Sequence, residues 1–331
     1  MASAAQIKAL IKSHFGGDGD HFYSVALQVA ANEARSGHGK LAKEIRDLVD
    51  AAKHQQRPGA LSPSTPIPIH RPDGELAHLL EASYPKERLN HMVLAPHVVE
   101  RLKRVIKEQR HQQRILEHGL RPRRKLLLKG PPGTGKTMTA SVMAKELGVP
   151  LFLVRLDALI TKYMGETAAK LRLVFEAMQS SRGVYFFDEF DAIGSQRGLA
   201  NDVGEVRRIL NSFLQMIEQD DSPGLIVAAT NHAEILDHAL FRRFDDVIAY
   251  DLPSAEAAAR LMKSRLAGFS IPGVRWQALG KAAHGLSHAD IARACAEAIK
   301  DAIMRDEKVI AMKEIRAMLE ERQIVGVIAN Y

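Results

Sequence analysis

One segment of the chain combines residue types and spacing that suit phosphate binding: the sequence GPPGTGKT at residues 130–137. It fits the spacing G-x-x-x-x-G-K-[ST] at every position, it follows the apolar run 125–128, and good helix formers occupy 138–147. Glycine lets backbone N–H groups turn towards phosphate oxygens, and the start of the following helix adds the positive end of its dipole. A glycine-rich turn between a strand and a helix therefore predicts a phosphate-binding loop.

Two side chains of this loop have specific expected roles. Lys136 is expected to contact the β- and γ-phosphates of a nucleotide, and the hydroxyl of Thr137 is expected to ligate Mg²⁺. A glycine-rich loop without a function is the alternative, but it does not account for a Lys-Thr pair in register with the glycines. The residues predicted to surround the phosphates are Pro132, Gly133, Thr134, Gly135, Lys136, Thr137 and Met138.

A pair of carboxylates follows the apolar run VYFF at residues 184–187. Open α/β sheets bind ligands at the carboxyl ends of their strands, so Asp188 is expected to hold Mg²⁺ through water molecules. Glu189 is expected to orient and deprotonate the water that attacks a phosphoryl group. Two acids after an apolar run usually mark only a strand end, but here Asp188 follows Lys136 by 52 residues within one α/β region.

Polar residues further along the chain extend this candidate site. The apolar run 225–229 leads to Asn231, whose amide either hydrogen-bonds the γ-phosphate or the lytic water, or caps the next helix. Arg242 and Arg243 also have two interpretations. They are ordinary surface charges, or they reach the γ-phosphate bound by a neighbouring copy of the chain and stabilise charge in the transition state, as arginine fingers do.

Composition narrows the class of protein. The chain has 331 residues, of which 46% are hydrophobic and 26% are charged, and this apolar content is enough for two or more cores. No apolar run approaches the length of a membrane span, and the first residues do not resemble a secretory signal. Cys295 is the only cysteine, so it is interpreted as a small core residue, and a cytoplasmic location is expected.

Much of the net charge of +7 lies between Arg101 and Lys129, where eleven Lys and Arg accompany two Glu. A nucleic-acid-binding surface is one interpretation of such a stretch. A solvated helix face near a polyphosphate site is the other. The second is favoured because no aromatic residues that could stack on bases are interleaved with the charges.

Composition and pattern divide the chain into four segments. Residues 1–55 have three short apolar stripes at helical spacing, and they predict a small N-terminal helical domain. Residues 56–75 are rich in proline and predict a semi-rigid linker. Residues 76–252 are the predicted nucleotide-binding domain, and residues 253–331 are a predicted helical domain. The first domain either binds a substrate or partner or is a packing appendage.

Short apolar runs alternate with stretches of helix length between residues 76 and 252. This alternation predicts an α/β fold whose parallel sheet is covered by helices on both faces. The predicted strands are 125–128, 151–154, 184–187, 225–229 and 247–250. After Pro253 the pattern is strongly helical, and the predicted helices are 255–266, 276–283, 289–303 and 313–321.

These features together resemble the AAA ATPases, a ring-forming branch of the P-loop enzymes. The resemblance covers residues 85–320 and rests on five motifs in order: GPPGTGKT (130–137), KYMGE (162–166), YFFDEFDAIG (185–194), AATN (228–231) and ALFRRFD (239–245). It implies a P-loop parallel sheet of strand order 5-1-4-3-2 and a C-terminal all-helical lid. It also implies a hexameric ring that binds ATP and Mg²⁺ between neighbouring copies.

The resemblance assigns roles residue by residue. Lys136, Thr137, Asp188 and Glu189 match the phosphate, metal and catalytic positions of the family, and Asn231 matches its first sensor. Arg242 and Arg243 match the paired arginine fingers of katanin, spastin and related members. Tyr163, Met164 and Gly165 match the pore loop that grips polypeptide. His288 and Ala289 fall in a lid segment whose backbone contacts adenine, and His288 stands where most members have glycine.

Three functions follow as hypotheses. The first is an ATP-hydrolysing protein remodeller or unfoldase that threads polypeptide through a hexameric ring, with an adaptor or a separate protease bound by residues 1–55. The second is a nucleic-acid-associated ATPase such as a loader or a transposition helper, which the basic stretch would serve. The third is a nucleotide-switch scaffold that does not hydrolyse ATP, and the presence of Glu189 argues against it.

Overall fold

The computed structural model describes residues 26, 29–32, 38, 40, 42–47, 49, 72, 74–159, 164–190, 203–233 and 241–328. The chain divides into two compact units, Met1–Pro68 and Ile69–Tyr331. In the first unit the described residues 29–32 and 42–47 are helical, and Ala30 and Val49 are buried. The domain boundaries that the sequence places at residues 55, 75 and 252 stay predictions.

One sheet organises the second unit. Its strands are β1 Leu80–Ser83, β2 Lys125–Lys129, β3 Leu151–Val154, β4 Val184–Phe187, β5 Leu225–Thr230 and β6 Asp246–Ala249. They lie in the order β1-β3-β4-β5-β2-β6. All neighbours are parallel except β1, which is antiparallel to β3. A sheet of this kind needs helices on both faces, since parallel strands are connected by crossovers.

The predicted α/β fold and its parallel sheet are confirmed, with one difference in the strand order. The five predicted strands keep their expected order, but sequence analysis missed β1, which adds a sixth strand at the edge. Only Leu80 of its four residues is fully buried, so β1 lacks the continuous apolar run of a central strand. The last predicted strand, 247–250, is shifted by one residue and spans Asp246–Ala249.

Helices pack on both faces of this sheet and continue beyond it. In the part of the chain that the structure describes they are α1 Leu76–Leu79, α2 Pro96–Arg110, α3 Gln112–Glu117, α4 Lys136–Leu147, α5 Leu156–Leu159, α6 Met164–Ser180, α7 Val203–Gln219, α8 Ala255–Arg265, α9 Trp276–Ala282, α10 His288–Met304 and α11 Met312–Ile328. The predicted helix 313–321 is therefore longer than expected, since α11 continues to Ile328.

Successive residues of the central strands pack on opposite faces of the sheet. Leu127 and Phe187 belong to a core that includes residues of α6 and α7. Leu128 and Phe186 belong to a second core that includes residues of α2 and α4. Side chains alternate along a strand, so an apolar strand can serve both cores only when both faces are covered. The two cores therefore fix the sheet from both sides.

The helices α8–α11 enclose a third hydrophobic core. The start of α8 is capped by Ser254, whose hydroxyl accepts a hydrogen bond from the N–H of Ala257 at 3.2 Å. Cys295 is fully buried in this core, and burial raises the pKa of its thiol to about 11. Its interpretation as a core residue is thus confirmed. Among the described residues, no helix is both long enough and apolar enough to cross a membrane.

The basic stretch from Arg101 to Lys129 is largely compensated by carboxylates. Six of its cations form ion pairs, namely Arg101 with Asp246, Arg104 and Arg123 with Glu108, Arg110 with Glu146, Arg121 with Asp221, and Arg124 with Asp220. Burial, followed by the charge of Arg124, lowers the pKa of Lys125. The positive charge therefore stabilises the fold here, which disfavours the nucleic-acid-binding interpretation of this stretch.

The ion pair of Arg124 with Asp220 is expected to contribute strongly to stability. Asp220 is fully buried, it lies 2.6 Å from Arg124, and it also accepts hydrogen bonds from Ser222. The change Asp220→Ala leaves the guanidinium buried without its partner, so the free energy of unfolding is expected to fall by about 3–5 kcal/mol. Urea denaturation measures this difference.

The matched control for this prediction is Arg121→Ala. Arg121 pairs with Asp221, but the two side chains are 69% and 64% exposed, and exposed pairs contribute no more than about 1 kcal/mol. Equal losses for Asp220→Ala and Arg121→Ala would contradict the importance assigned to the buried pair.

Candidate nucleotide-binding site

Three segments meet where β2, β4 and β5 end. The register pairs Lys129 with Thr230 and Phe187 with Ala228, so the residues that follow these strands emerge at the same edge. Backbone hydrogen bonds hold the segments together beyond the strands: the N–H of Gly130 donates to Thr230 at 3.3 Å, and that of Phe190 donates to Ala229 at 2.8 Å. The parallel register thus brings the loop after β2 next to Asp188, Glu189 and Asn231.

The loop between β2 and α4 folds around its own lysine. The ammonium of Lys136 donates hydrogen bonds to the carbonyl oxygens of Gly130 at 2.7 Å and Pro131 at 2.8 Å. The hydroxyl of Thr134 also donates to Pro131, at 2.8 Å. Lys136 is buried and is the first residue of α4, where the positive end of the helix dipole lies. The loop therefore concentrates positive charge and N–H donors in a small volume.

Gly133 brings the loop into direct contact with the helix α10. The N–H of Ala289 donates to the carbonyl oxygen of Gly133 at 3.0 Å. Gly133 has a φ of +72°, and a Cβ atom on it would lie 2.5 Å from the hydroxyl oxygen of Ser287. Only glycine avoids this clash and adopts this backbone conformation without strain. The close approach explains why glycine is required at this position of the loop.

Two oxygen-bearing side chains at the strand ends are already in contact. The hydroxyl of Thr137 donates to one carboxylate oxygen of Asp188 at 2.8 Å, and the other oxygen accepts from the N–H of Glu189 at 2.9 Å. Among the described residues there is no cluster of three or more acidic, histidine or cysteine side chains that could hold a metal alone. A hydroxyl and one carboxylate suit Mg²⁺, which commonly takes its other ligands from phosphates and water.

Glu189 has an unusual backbone conformation. Its φ of +48° lies in the left-handed region, which costs a residue with a side chain about 1–2 kcal/mol. The N–H of Glu189 is bound by Asp188 and that of Phe190 by Ala229, so both neighbours of this strained residue fix the turn. Strain of this kind is concentrated at functional sites.

These segments surround one cavity of about 420 Å³. Its lining includes every residue predicted to contact nucleotide, with Glu189 and Asn231. The complete lining is His91, Met92, Val93, Leu94, Pro132, Gly133, Thr134, Gly135, Lys136, Thr137, Met138, Asp188, Glu189, Asn231, Leu261, Arg265, His288, Ala289 and Ala292. The structure thus brings the predicted residues together, although their individual roles stay predictions.

Sequence analysis missed the apolar end of this cavity. Met92, Val93 and Leu94 precede α2, and Leu261 and Ala292 come from α8 and α10. Apolar residues in and near helices carry no signal that distinguishes a ligand contact from a core contact. Arg265, at the end of α8, was also missed, because a single arginine at a helix end is usually a solvated charge.

Neither predicted arginine finger lines the cavity of its own chain. Arg242 is exposed, and Arg243 forms an ion pair with Glu218 of α7. The Nε atom of Arg243 is buried without a hydrogen-bond partner among the described residues. Of the predicted pore loop, Tyr163 lies outside the described residues, and only the backbone of Met164 and Gly165 is described, at the start of α6.

The strand order, the loop and the paired acids define a nucleoside-triphosphate-binding protein of the P-loop type. A family profile described as "ATPase family associated with various cellular activities (AAA)" matches residues 126–252. An "Uncharacterized AAA family ATPase y4kL" of Sinorhizobium fredii is 37% identical over 97% of this chain and 96% of the relative. The chain therefore belongs to the AAA family of ATPases, as its motifs indicated; it binds nucleotide and hydrolyses ATP.

Two further relatives match a smaller part of the chain. An "ATP-dependent zinc metalloprotease FtsH 3" of Symbiobacterium thermophilum is 35% identical over 67% of this chain. A katanin p60 ATPase-containing protein of Oryctolagus cuniculus, of the A-like 1 type, is 35% identical over 61%. The match spans only 37% and 43% of the lengths of these two relatives.

The contact of Gly133 with Ser287 and Ala289 predicts that Gly133→Ala disrupts nucleotide binding. A matched control is Gly148→Ala at the end of α4: its φ of +68° is similar, but a Cβ atom there would have nothing within 4 Å. Both changes should cost about 1–2 kcal/mol in backbone strain. Only Gly133→Ala should also lose the rise in melting temperature that ADP or ATP produces, because it separates the loop from α10. An equal nucleotide-induced rise in the two variants would contradict this.

Proposed function

We propose that this ATPase is a protein remodeller that works as a ring of identical copies, most simply a hexamer. In this proposal each nucleotide site lies between two copies, and ATP hydrolysis in the ring drives polypeptide through the central pore. The strongest support is the cavity, which contains a phosphate loop, two acids and an amide but neither of the two candidate finger arginines. One chain thus supplies half of a hydrolytic site, and a neighbour would supply the cationic half.

Each side chain of the half-site has a proposed chemical task. Lys136 binds the β- and γ-phosphates, and Asn231 positions the γ-phosphate or the attacking water. Thr137 and Asp188 would hold Mg²⁺, which supplies charge neutralisation on the phosphates when it is bound. Glu189 accepts the proton of the water. The strained backbone of Glu189 supports this role, since it fixes the residue where the turn after β4 begins.

Polypeptide as the substrate is supported by residues 163–165 and by the kind of relatives found. The sequence Tyr-Met-Gly places an aromatic side chain at the start of α6, and an aromatic ring can hold an extended chain by packing without selecting its sequence. The matched relatives include proteins named as an ATP-dependent metalloprotease and a katanin ATPase. Residues 1–55 would bind an adaptor, a substrate or a separate protease.

A mixing experiment tests whether neighbouring copies share each site. Lys136→Ala lacks the phosphate contact, and the double change of Arg242 and Arg243 to Ala lacks the fingers, so each variant alone should lose ATPase activity. In a random 1:1 mixture about one interface in four joins the intact loop of one variant to the intact arginines of the other. Steady-state ATPase activity should therefore reappear in the mixture.

The outcome that would contradict a shared site is a double arginine variant that hydrolyses ATP as fast as the unaltered chain. A mixture as inactive as its components would contradict it as well, provided that sedimentation shows mixed assemblies. Arg46→Ala with Lys43→Ala in the first unit is a suitable charge control, because it removes two cations far along the sequence from the motifs.

Threading is tested at Tyr163 with a labelled, permanently unfolded polypeptide as the probe. In the Glu189→Gln background, which should hold ATP without hydrolysing it, the added change Tyr163→Ala is expected to lower capture of the probe at least about tenfold. Tyr163→Phe should retain capture, because the ring and not the hydroxyl packs on the chain. Fluorescence anisotropy measures capture, and undiminished capture by the alanine variant would exclude the pore-loop role.

A further inference from the structure

His288 is the first residue of α10, and its backbone is fixed on both sides. The hydroxyl of Ser287 accepts a hydrogen bond from the N–H of Asp290 at 3.2 Å, and the carboxylate of Asp290 accepts one from the N–H of Ser287 at 3.2 Å. On the other side, Ala289 donates to Gly133 of the phosphate loop at 3.0 Å. The imidazole of His288 therefore projects from a rigid junction between the loop and α10.

The imidazole of His288 is buried without its usual partners. Both ring nitrogens are shielded from solvent, and neither makes a hydrogen bond of good geometry with any residue that the structure describes. Burial lowers the pKa of His288, and a weaker interaction with the backbone of Val93 acts in the opposite direction. Since buried polar atoms are nearly always hydrogen-bonded, a ligand is expected to supply the partner.

The position of His288 in the cavity indicates which part of a nucleotide it meets. Lys136 and Thr137 lie at the polar end, whereas Met92 and Leu261 lie with His288 among the residues that form the apolar end. A triphosphate bound at the polar end places its base at the apolar end. The edge of a base carries ring nitrogens and an amino or carbonyl group, and a neutral imidazole offers one donor and one acceptor.

We propose that the side chain of His288 hydrogen-bonds the edge of the adenine base and sets the preference of this ATPase for adenine. The proposal rests on the nucleotide site described above, and it goes beyond the backbone contacts that the family resemblance implies for this segment. A buried polar group that pairs with one base stays unpaired with another, and this difference is the physical basis of discrimination. His288 is thus a specificity-determining residue.

Calorimetric titration with ATP, GTP and inorganic triphosphate, each with Mg²⁺, tests this role. His288→Ala and the similarly sized apolar change His288→Leu should each weaken ATP binding about tenfold. Affinity for GTP and triphosphate should stay within about twofold, so the preference for ATP disappears. His288→Asn should retain most of the preference, because its amide still offers a donor and an acceptor. The control is His284→Ala, an exposed histidine four residues earlier.

Two outcomes would overturn the proposal. Equal losses for ATP, GTP and triphosphate would mean that His288 only supports the junction between the loop and α10, and full ATP affinity in His288→Leu would mean that the ring only fills space. Failure of the nucleotide site itself has a different signature. In that case the unaltered protein would bind none of the three ligands, or Lys136→Ala would bind all three as tightly as the unaltered protein.

Discussion

The parallel register of β2, β4 and β5 is the constraint on which the site depends. It is set by two hydrophobic cores at once, because alternate residues of each strand are buried on opposite faces. A slip of one residue would move every side chain to the wrong core and shift the strand end by about 3.3 Å. Such a shift would separate Thr137 from Asp188, which lie 2.8 Å apart. The packing of apolar residues therefore determines the position of the polar ones.

Buried charge has two different uses in this chain. Arg124 is compensated by a carboxylate, Asp220, and the pair stabilises the end of the sheet opposite to the nucleotide cavity. Lys136 is bound instead by the neutral carbonyl oxygens of Gly130 and Pro131. A cation held by neutral groups keeps its full charge available for an anion, whereas a paired cation does not. The basic composition of the chain therefore gives little information until each cation is placed.

Much of the fold was predictable because its signals are local. The loop 130–137, the strands that precede and follow it and the two acids after β4 are continuous in sequence, and each has a regular pattern. The edge strand β1 was not predictable, since four residues with one buried side chain have no periodicity. The strand order came from the family resemblance, and the structure adds β1 to it at the edge.

The candidate site was predictable only at its polar end. Residues that bind phosphate belong to short motifs, whereas the apolar end is assembled from Met92, Leu261 and Ala292, which are distant in sequence. Nothing in an apolar helical residue distinguishes contact with a base from contact with another helix. The ion pair of Arg243 with Glu218 was also beyond reach, because it depends on how α7 lies next to the segment after it.

The hydrogen bond from Ala289 to Gly133 has a mechanical consequence. It ties the segment that grips the phosphates to a helix whose other face is buried in the C-terminal helical core. Tilting that core must therefore pull on the phosphate grip, and loosening the grip must free the core to tilt. Release of spent nucleotide and reorientation of the C-terminal helices are then a single movement. Its pace can be altered by a substitution that never approaches the ligand.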